Sequence, residues 1–131
     1  MKAYNLIILF FSLLFLVYGC KSGISGTTVS ANFLTGETKE FDIKAKNWDF
    51  SPDTITVNKG DKVILNIESL DDGSGIGHGI VIHEFGVSKS FRGGDLVTVE
   101  FLADKKGTFI FFCSVYCGSG HGSMKGKLIV K

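Results

Sequence analysis

From about residue 39 to residue 131, the chain is a succession of short stretches in which apolar and polar side chains alternate. A period of two is typical of half-buried strands, and no stretch keeps the 3.6-residue period of a substantial helix. Sequences rich in Gly, Asn and Asp separate the stretches, and these residues tolerate the backbone angles of tight turns. The pattern predicts an all-β domain.

Seven strands are predicted in about 90 residues, and this number favours two packed antiparallel sheets, a β-sandwich. A domain of this size can bury one core but is too small for an enzyme with separate substrate and cofactor domains. The predicted strands lie at about Glu40–Lys46, Thr54–Val57, Lys62–Glu68, Gly79–His83, Val97–Ala103, Thr108–Cys113 and Gly126–Val130.

Residues 1–19 have the features of a signal peptide. Lys2 precedes the 13-residue apolar run Leu6–Tyr18, which only Ser12 interrupts. A helix that spans a membrane needs about 20 apolar residues, so cleavage is the better interpretation. The junction that ends in Gly19-Cys20 resembles a bacterial lipobox, which predicts a lipid on Cys20. The alternative is an uncleaved signal anchor with an incidental cysteine.

Both interpretations place the folded part outside the cytoplasm and attach it to a membrane. The segment 20–38, after its first cysteine, is rich in Gly, Ser and Thr and has little periodicity. Such a composition is typical of a flexible linker. We therefore expect a lipidated cysteine and tether at 20–38 and a folded domain at 39–131.

The charges of the chain are nearly balanced, with 14 basic and 13 acidic side chains and a net charge of +1. Proteins that bind nucleic acid by electrostatics carry a basic surface, and this chain has no long run of like charge. We expect no nucleic-acid partner.

Four side chains that bind soft metal ions lie within 12 residues, in the pattern Cys113-x3-Cys117-x3-His121-x2-Met124. Thiolate, imidazole and thioether together are the ligands that copper prefers, whereas structural zinc sites use Cys and His. Met124 stands in a glycine-rich loop instead of an apolar strand, which is unusual for a core residue. The pattern predicts a copper-binding loop.

A loop alone seldom closes a metal site, so we expect a distant ligand among the remaining histidines, His78 and His83. Alternate residues of a strand share a face, so His78 lies on the side of Ile80 and Ile82, which favours the interior. His83 falls on the opposite face, where an exposed strand residue is the simpler interpretation. We therefore predict His78 as the distant ligand.

Two other interpretations stay open for these residues. Cys113 and Cys117 can form a local disulfide, because exported proteins meet oxidising conditions. Alternatively, both cysteines can hold a structural zinc ion together with His121 and His78.

The segment Cys113–Met124 resembles the dinuclear copper loop of the CuA domain of cytochrome c oxidase subunit II, which also occurs in nitrous oxide reductase. His78-Gly79 with Phe85-Gly86-Val87 is similar to the segment that carries the first histidine of that family. Ala45 to Pro52, with Trp48 and Phe50, resembles its aromatic strand. The resemblance implies a cupredoxin fold, a Greek-key β-sandwich, over most of residues 40–131.

The resemblance also implies a ligand set with two copper ions bridged by the thiolates of Cys113 and Cys117. One copper would take His78 and Met124 as its further ligands, and the other would take His121 and the backbone carbonyl of Val115. In the family an aromatic residue at the position of Trp48 accepts electrons from cytochrome c. Simple packing of Trp48 in the sandwich is the alternative.

The chain also departs from the family. Val115 stands where many members have a glutamate that reaches a second metal at the boundary with the catalytic subunit. We expect the predicted signal peptide in place of the transmembrane helices of subunit II, and we expect no propeller domain like that of nitrous oxide reductase.

We therefore expect a detached, lipid-anchored electron carrier that works between partners such as cytochrome c and a terminal oxidase or reductase. It would not catalyse a reaction by itself. A copper-delivery protein and a structural zinc module are the alternatives.

Overall fold

The computed structural model describes residues 36–71 and 77–131, which form nine strands and two single turns of 3₁₀ helix. The 3₁₀ turns are His83–Phe85 and His121–Ser123. The strands are β1 Thr38–Lys46, β2 Asp49–Ser51, β3 Thr54–Val57, β4 Lys62–Ser69, β5 His78–Ile82, β6 Val87–Phe91, β7 Leu96–Leu102, β8 Gly107–Phe112 and β9 Lys125–Val130.

The described residues begin at 36. They therefore exclude the predicted signal peptide 1–19, Cys20 and residues 21–35 of the predicted tether. Thr38, the last residue of the predicted tether, already begins β1. Neither described range contains a helix that is long and apolar enough to cross a membrane.

Two sheets form the domain, one in the order β2-β1-β4-β7 and the other in the order β3-β9-β8-β5-β6. Most neighbours are antiparallel, but β1 with β4 and β3 with β9 are parallel. The expected antiparallel pairing is therefore wrong for these two pairs. Three of the antiparallel pairs, β1–β2, β5–β6 and β8–β9, join strands that are consecutive in the chain, whereas the chain from β1 reaches β4 only after β3, which belongs to the opposite sheet.

The alternation that predicted the strands buries one face of each sheet between the two layers. In β4, Val63, Leu65 and Ile67 are fully buried, whereas Lys62 and Glu68 are exposed. Burial of each such apolar side chain contributes about 1.5–3 kcal/mol. Aromatic rings fill the space between the layers, as in the edge-to-face contact of Phe50 with Phe111 at 5.5 Å between ring centres.

All seven predicted strands are present, with small shifts at their ends. The sequence reasoning missed β2 and β6, because β2 has three residues and β6 buries only its terminal Val87 and Phe91. His83 is exposed as expected but is not part of a strand. It begins the 3₁₀ turn that Gly86 ends in the left-handed conformation, with φ of +67°.

Candidate metal centre

The loop between β8 and β9, residues 113–124, begins and ends at neighbouring positions of one sheet. Phe112 pairs with Lys125 in the β8–β9 ladder, and the Cys113 N–H donates to the Met124 carbonyl at 3.0 Å. Cys113 and Met124 are consequently only 2% and 1% exposed. The rigid sheet therefore positions two of the predicted ligands.

Backbone hydrogen bonds fold the rest of the loop compactly. The His121 N–H donates to the Gly118 carbonyl at 3.0 Å. The Ser123 N–H and hydroxyl both donate to the Gly120 carbonyl, at 2.9 and 2.7 Å. Gly118 has a φ of +118°, a conformation that glycine adopts without steric cost. These bonds hold Cys117 and His121 close to the buried ends of the loop.

His78 enters the site from a different strand, as the first residue of β5. Its side chain is almost completely buried, and Phe91 of β6 is its partner in the sheet. The ring nitrogen Nδ1 lies 3.8 Å from the Cys113 sulfur. The other ring nitrogen, Nε2, contacts the Asp71 carboxylate. One side of the imidazole thus faces the cysteines and the other faces an acid.

The potential donor atoms form a continuous row from His78 to His121. The Cys113 and Cys117 sulfurs are 3.7 Å apart. The Cys117 sulfur lies 3.7 Å from His121 Nδ1 and 3.8 Å from the Met124 sulfur. The Cys113 sulfur is 3.1 Å from the Val115 carbonyl oxygen. The six groups that the sequence suggests as metal ligands therefore lie next to one another along this row.

This donor set fits copper. Each imidazole neighbours a different sulfur, so the row offers donors on both sides of a sulfur pair. A single tetrahedral zinc ion needs four donors around one point and seldom uses a thioether, whereas copper accepts the Met124 sulfur readily. The ligand atoms of His78, Cys113 and Cys117 lie within 4.8 Å of one another and could hold one metal ion by themselves.

Within the described residues, Cys113 and Cys117 are not joined by a disulfide. Burial raises the pKa of the Cys117 thiol to about 11, and the neighbouring Cys113 thiol adds to this rise. Cys117 therefore keeps its proton at neutral pH. A bound metal ion must displace that proton, as metal ions do at coordinating thiols.

Trp48 covers the loop from the opposite sheet, since it lies in the turn between β1 and β2. Its indole N–H donates to the Cys117 carbonyl at 2.9 Å, and 39% of its surface is exposed. A Cβ atom on Gly120 would lie 2.4 to 2.5 Å from three atoms of the indole ring, and one on Gly118 would lie 3.1 Å from the indole nitrogen. The ring therefore occupies the space that these two glycines leave free.

The sequence reasoning missed the contact of Asp71 with His78. No pattern in the sequence links position 71 to His78, so the contact is visible only in the structure. Carboxylates are frequent partners of metal-binding histidines, and an acid near a predicted ligand was the available signal.

A sequence profile of the cupredoxin-like domain matches residues 7–130 of this chain. Among characterised relatives, nitrous-oxide reductase of Stutzerimonas stutzeri is 32% identical over 82 residues, which cover 63% of this chain and 13% of that protein. Cytochrome c oxidase subunit 2 of Thermus thermophilus is 28% identical over 82 residues, which cover 63% of this chain and 58% of that protein. The chain thus matches only a part of each relative.

Solved structures show the same fold. A chain of a heme-copper terminal oxidase dimer superimposes with a TM-score of 0.61 and 27% identity, covering 98% of this chain and 94% of that one. The periplasmic domain of cytochrome oxidase subunit II of Bradyrhizobium japonicum has the same TM-score at 19% identity, covering 70% of this chain and 83% of that one. The cupredoxin-like β-sandwich is confirmed, and this chain belongs to the cupredoxin-like domain family.

Proposed function

We propose that this chain is an extracytoplasmic electron-transfer protein whose centre holds two copper ions between the sulfurs of Cys113 and Cys117. The observation that carries the proposal is the pair of sulfurs 3.7 Å apart, with an imidazole beside each. The relatives named nitrous-oxide reductase and cytochrome c oxidase subunit 2 support it, because both names describe proteins of electron-transfer reactions.

The residues that would hold the copper are the six groups of the donor row. We assign His78 and Met124 to one ion, and His121 with the Val115 carbonyl to the other, while both cysteines contribute to each. Bound copper supplies one-electron redox chemistry at this position. The sulfur pair would let the two ions share one unpaired electron.

The protein around the donors is suited to fast electron transfer because it resists movement. Cys113 and Met124 are fixed by the β8–β9 ladder, and His78 is fixed at the start of β5. These three residues are at most 2% exposed, so little water would have to reorient when the charge of the centre changes. A centre with fixed ligands and little water keeps its geometry in both oxidation states.

We further propose that Trp48 is the route by which electrons reach the centre. The indole ring joins the surface, where 39% of it is exposed, to the backbone of Cys117 through one hydrogen bond. An electron donor such as a cytochrome c could touch the ring without reaching the buried sulfurs. Packing remains part of its role, because the ring also lies against Gly118 and Gly120.

The burial of the donors disfavours copper delivery. A delivery protein needs an open path by which a second protein can remove the ion, and here Cys113, His78 and Met124 are almost completely inaccessible. The exposed residues of the loop are Ser114, Tyr116, Ser119, Gly122 and Ser123, while the donors Cys117 and His121 are half-buried. These features favour a permanently held centre.

Attachment to a membrane through Cys20 completes the proposal. A lipid at the start of the tether would keep the domain outside the cytoplasm and near membrane-bound redox partners such as a terminal oxidase or reductase. The basis of this part is the sequence of residues 1–20, which has the features of a lipoprotein signal.

The test is metal binding by the full chain in detergent, with copper and zinc offered together. We expect two copper ions per chain and an intense visible colour from the sulfur–copper bonds. Cys113→Ser and Cys117→Ser should bind one ion or none, while Cys20→Ser is the matched control and should bind two. Preferential retention of zinc, or loss of all copper to a weak chelator, would contradict the proposal.

A further inference from the structure

We propose that Asp71 is a positioning residue, which holds the His78 imidazole with its proton on Nε2 and so leaves Nδ1 free to bind metal. The ligand role of Nδ1 rests on the function proposed above. The contact between Asp71 and His78 is a property of the metal-free protein.

The burial of His78 restricts the groups that can bond to its ring nitrogens. Its side chain is 2% exposed, so water cannot compete for the ring nitrogens. Asp71 Oδ2 contacts Nε2, and an ionised carboxylate can only accept a hydrogen bond. A neutral imidazole carries one proton, so a carboxylate at Nε2 places that proton there. The lone pair then resides on Nδ1, the atom that faces the Cys113 sulfur.

Asp71 also contacts the β1–β2 turn, which carries Trp48. Its second oxygen accepts the backbone N–H of Asn47 at 3.4 Å. Asn47 precedes Trp48, whose indole donates to the Cys117 carbonyl. A chain of contacts therefore runs from His78 through Asp71 and the β1–β2 turn to the cysteine loop. This arrangement fixes the orientation of the carboxylate relative to both halves of the centre.

The other histidines provide an internal comparison. Within residues 36–71 and 77–131, His78 is the one histidine that contacts a carboxylate. His121 lies beside Cys117 and the Tyr116 ring, and His83 lies beside Phe112. A change at Asp71 should therefore alter the proton position of His78 and leave the other two unchanged.

The first arm of the test is long-range proton–nitrogen NMR on the full chain in detergent, metal-free and reduced. We expect the proton of His78 on Nε2 in the natural protein. In Asp71→Asn we expect a mixture of both tautomers, because an amide can either accept or donate. A proton on Nδ1 in the natural protein, or an unchanged tautomer in Asp71→Asn, would overturn the inference.

The second arm is competition between the protein and a Cu(I) chelator. Loss of a carboxylate partner typically weakens metal binding 10–100-fold, and we expect a loss of about that size in Asp71→Asn. Asp104→Asn is the matched control, since it removes the same charge from an exposed side chain. Equal affinity in the two variants would overturn the inference. Failure of the natural protein to bind copper would instead overturn the proposed function, and the tautomer measurement would still decide the role of Asp71.

Discussion

Substitution of Gly120 by alanine should disrupt the contact between the copper loop and Trp48. A Cβ atom at this position would lie 2.4 Å from indole Cδ2 and 2.5 Å from Cε3 and Cγ. Carbon atoms in proteins do not approach so closely, so either the ring or the loop must move. The backbone of Gly120 has φ of −92° and ψ of 4°, which alanine can also adopt. The whole penalty therefore comes from the collision with Trp48.

The size of the penalty follows from two effects. Overpacking of this kind typically lowers the free energy of unfolding by about 1–3 kcal/mol. A shift of the ring also weakens the hydrogen bond from the indole N–H to the Cys117 carbonyl, which is worth about 0.5–1.5 kcal/mol. Alanine has less conformational freedom than glycine in the unfolded chain, and this difference raises the free energy of unfolding by about 0.4–1 kcal/mol. We expect a net loss of about 1–3 kcal/mol.

The assay is urea denaturation of the metal-free, reduced protein. Gly122→Ala is the matched control, because a Cβ atom there meets nothing within 4 Å and the unfolded-state effect is the same. Gly120→Ala should also cost much less in a Trp48→Ala background, where the ring is absent. Equal stability of the Gly120→Ala and Gly122→Ala variants, or an equal cost in both backgrounds, would refute the reasoning.

Four further substitutions test the core, the 3₁₀ turn and the proposed electron route. Leu65→Ala should cost about 2–5 kcal/mol in urea denaturation, because the side chain is fully buried, whereas Leu96→Ala at 70% exposure should change stability by less than about 0.5 kcal/mol. Equal effects would contradict the packing described for the sandwich. Gly86→Ala should cost about 1–2 kcal/mol in thermal unfolding, since φ is +67° and no atom lies nearby, and a neutral result would mean that the 3₁₀ turn ends differently. Trp48→Phe keeps a ring but removes the N–H donor, so reduction of the copper-loaded protein by a cytochrome c should slow, and an unchanged rate would exclude Trp48 as the electron route.

The sequence predicted the architecture well because alternation is a local signal. Val63, Leu65 and Ile67 are two residues apart, and that spacing alone indicates a strand with one buried face. The pairing of β1 with β4 depends on where the chain crosses between the sheets, and no local pattern encodes that crossing. Local reasoning therefore predicts the strands but not which of their pairs are parallel.

The sequence likewise predicts some residues of the candidate site but not all of their contacts. Four donors lie on one short loop, where spacing shows that they can meet, and the alternation of β5 indicates the side on which His78 lies. The contact of Trp48 with Cys117 joins residues 69 positions apart. That of Asp71 with His78 joins residues seven positions apart, one just after β4 and the other at the start of β5. Both contacts depend on how the chain folds, so the sequence suggested Trp48 only by resemblance and, for Asp71, offered only an acid seven positions before a predicted ligand.

The central claim is that two copper ions share the sulfur pair of Cys113 and Cys117. The most direct test is the electron paramagnetic resonance spectrum of the copper-loaded protein after partial reduction. We predict hyperfine structure from one unpaired electron spread over two equivalent copper nuclei, and we predict that Cys117→Ser loses this structure. A spectrum from a single copper nucleus in the natural protein would contradict the claim.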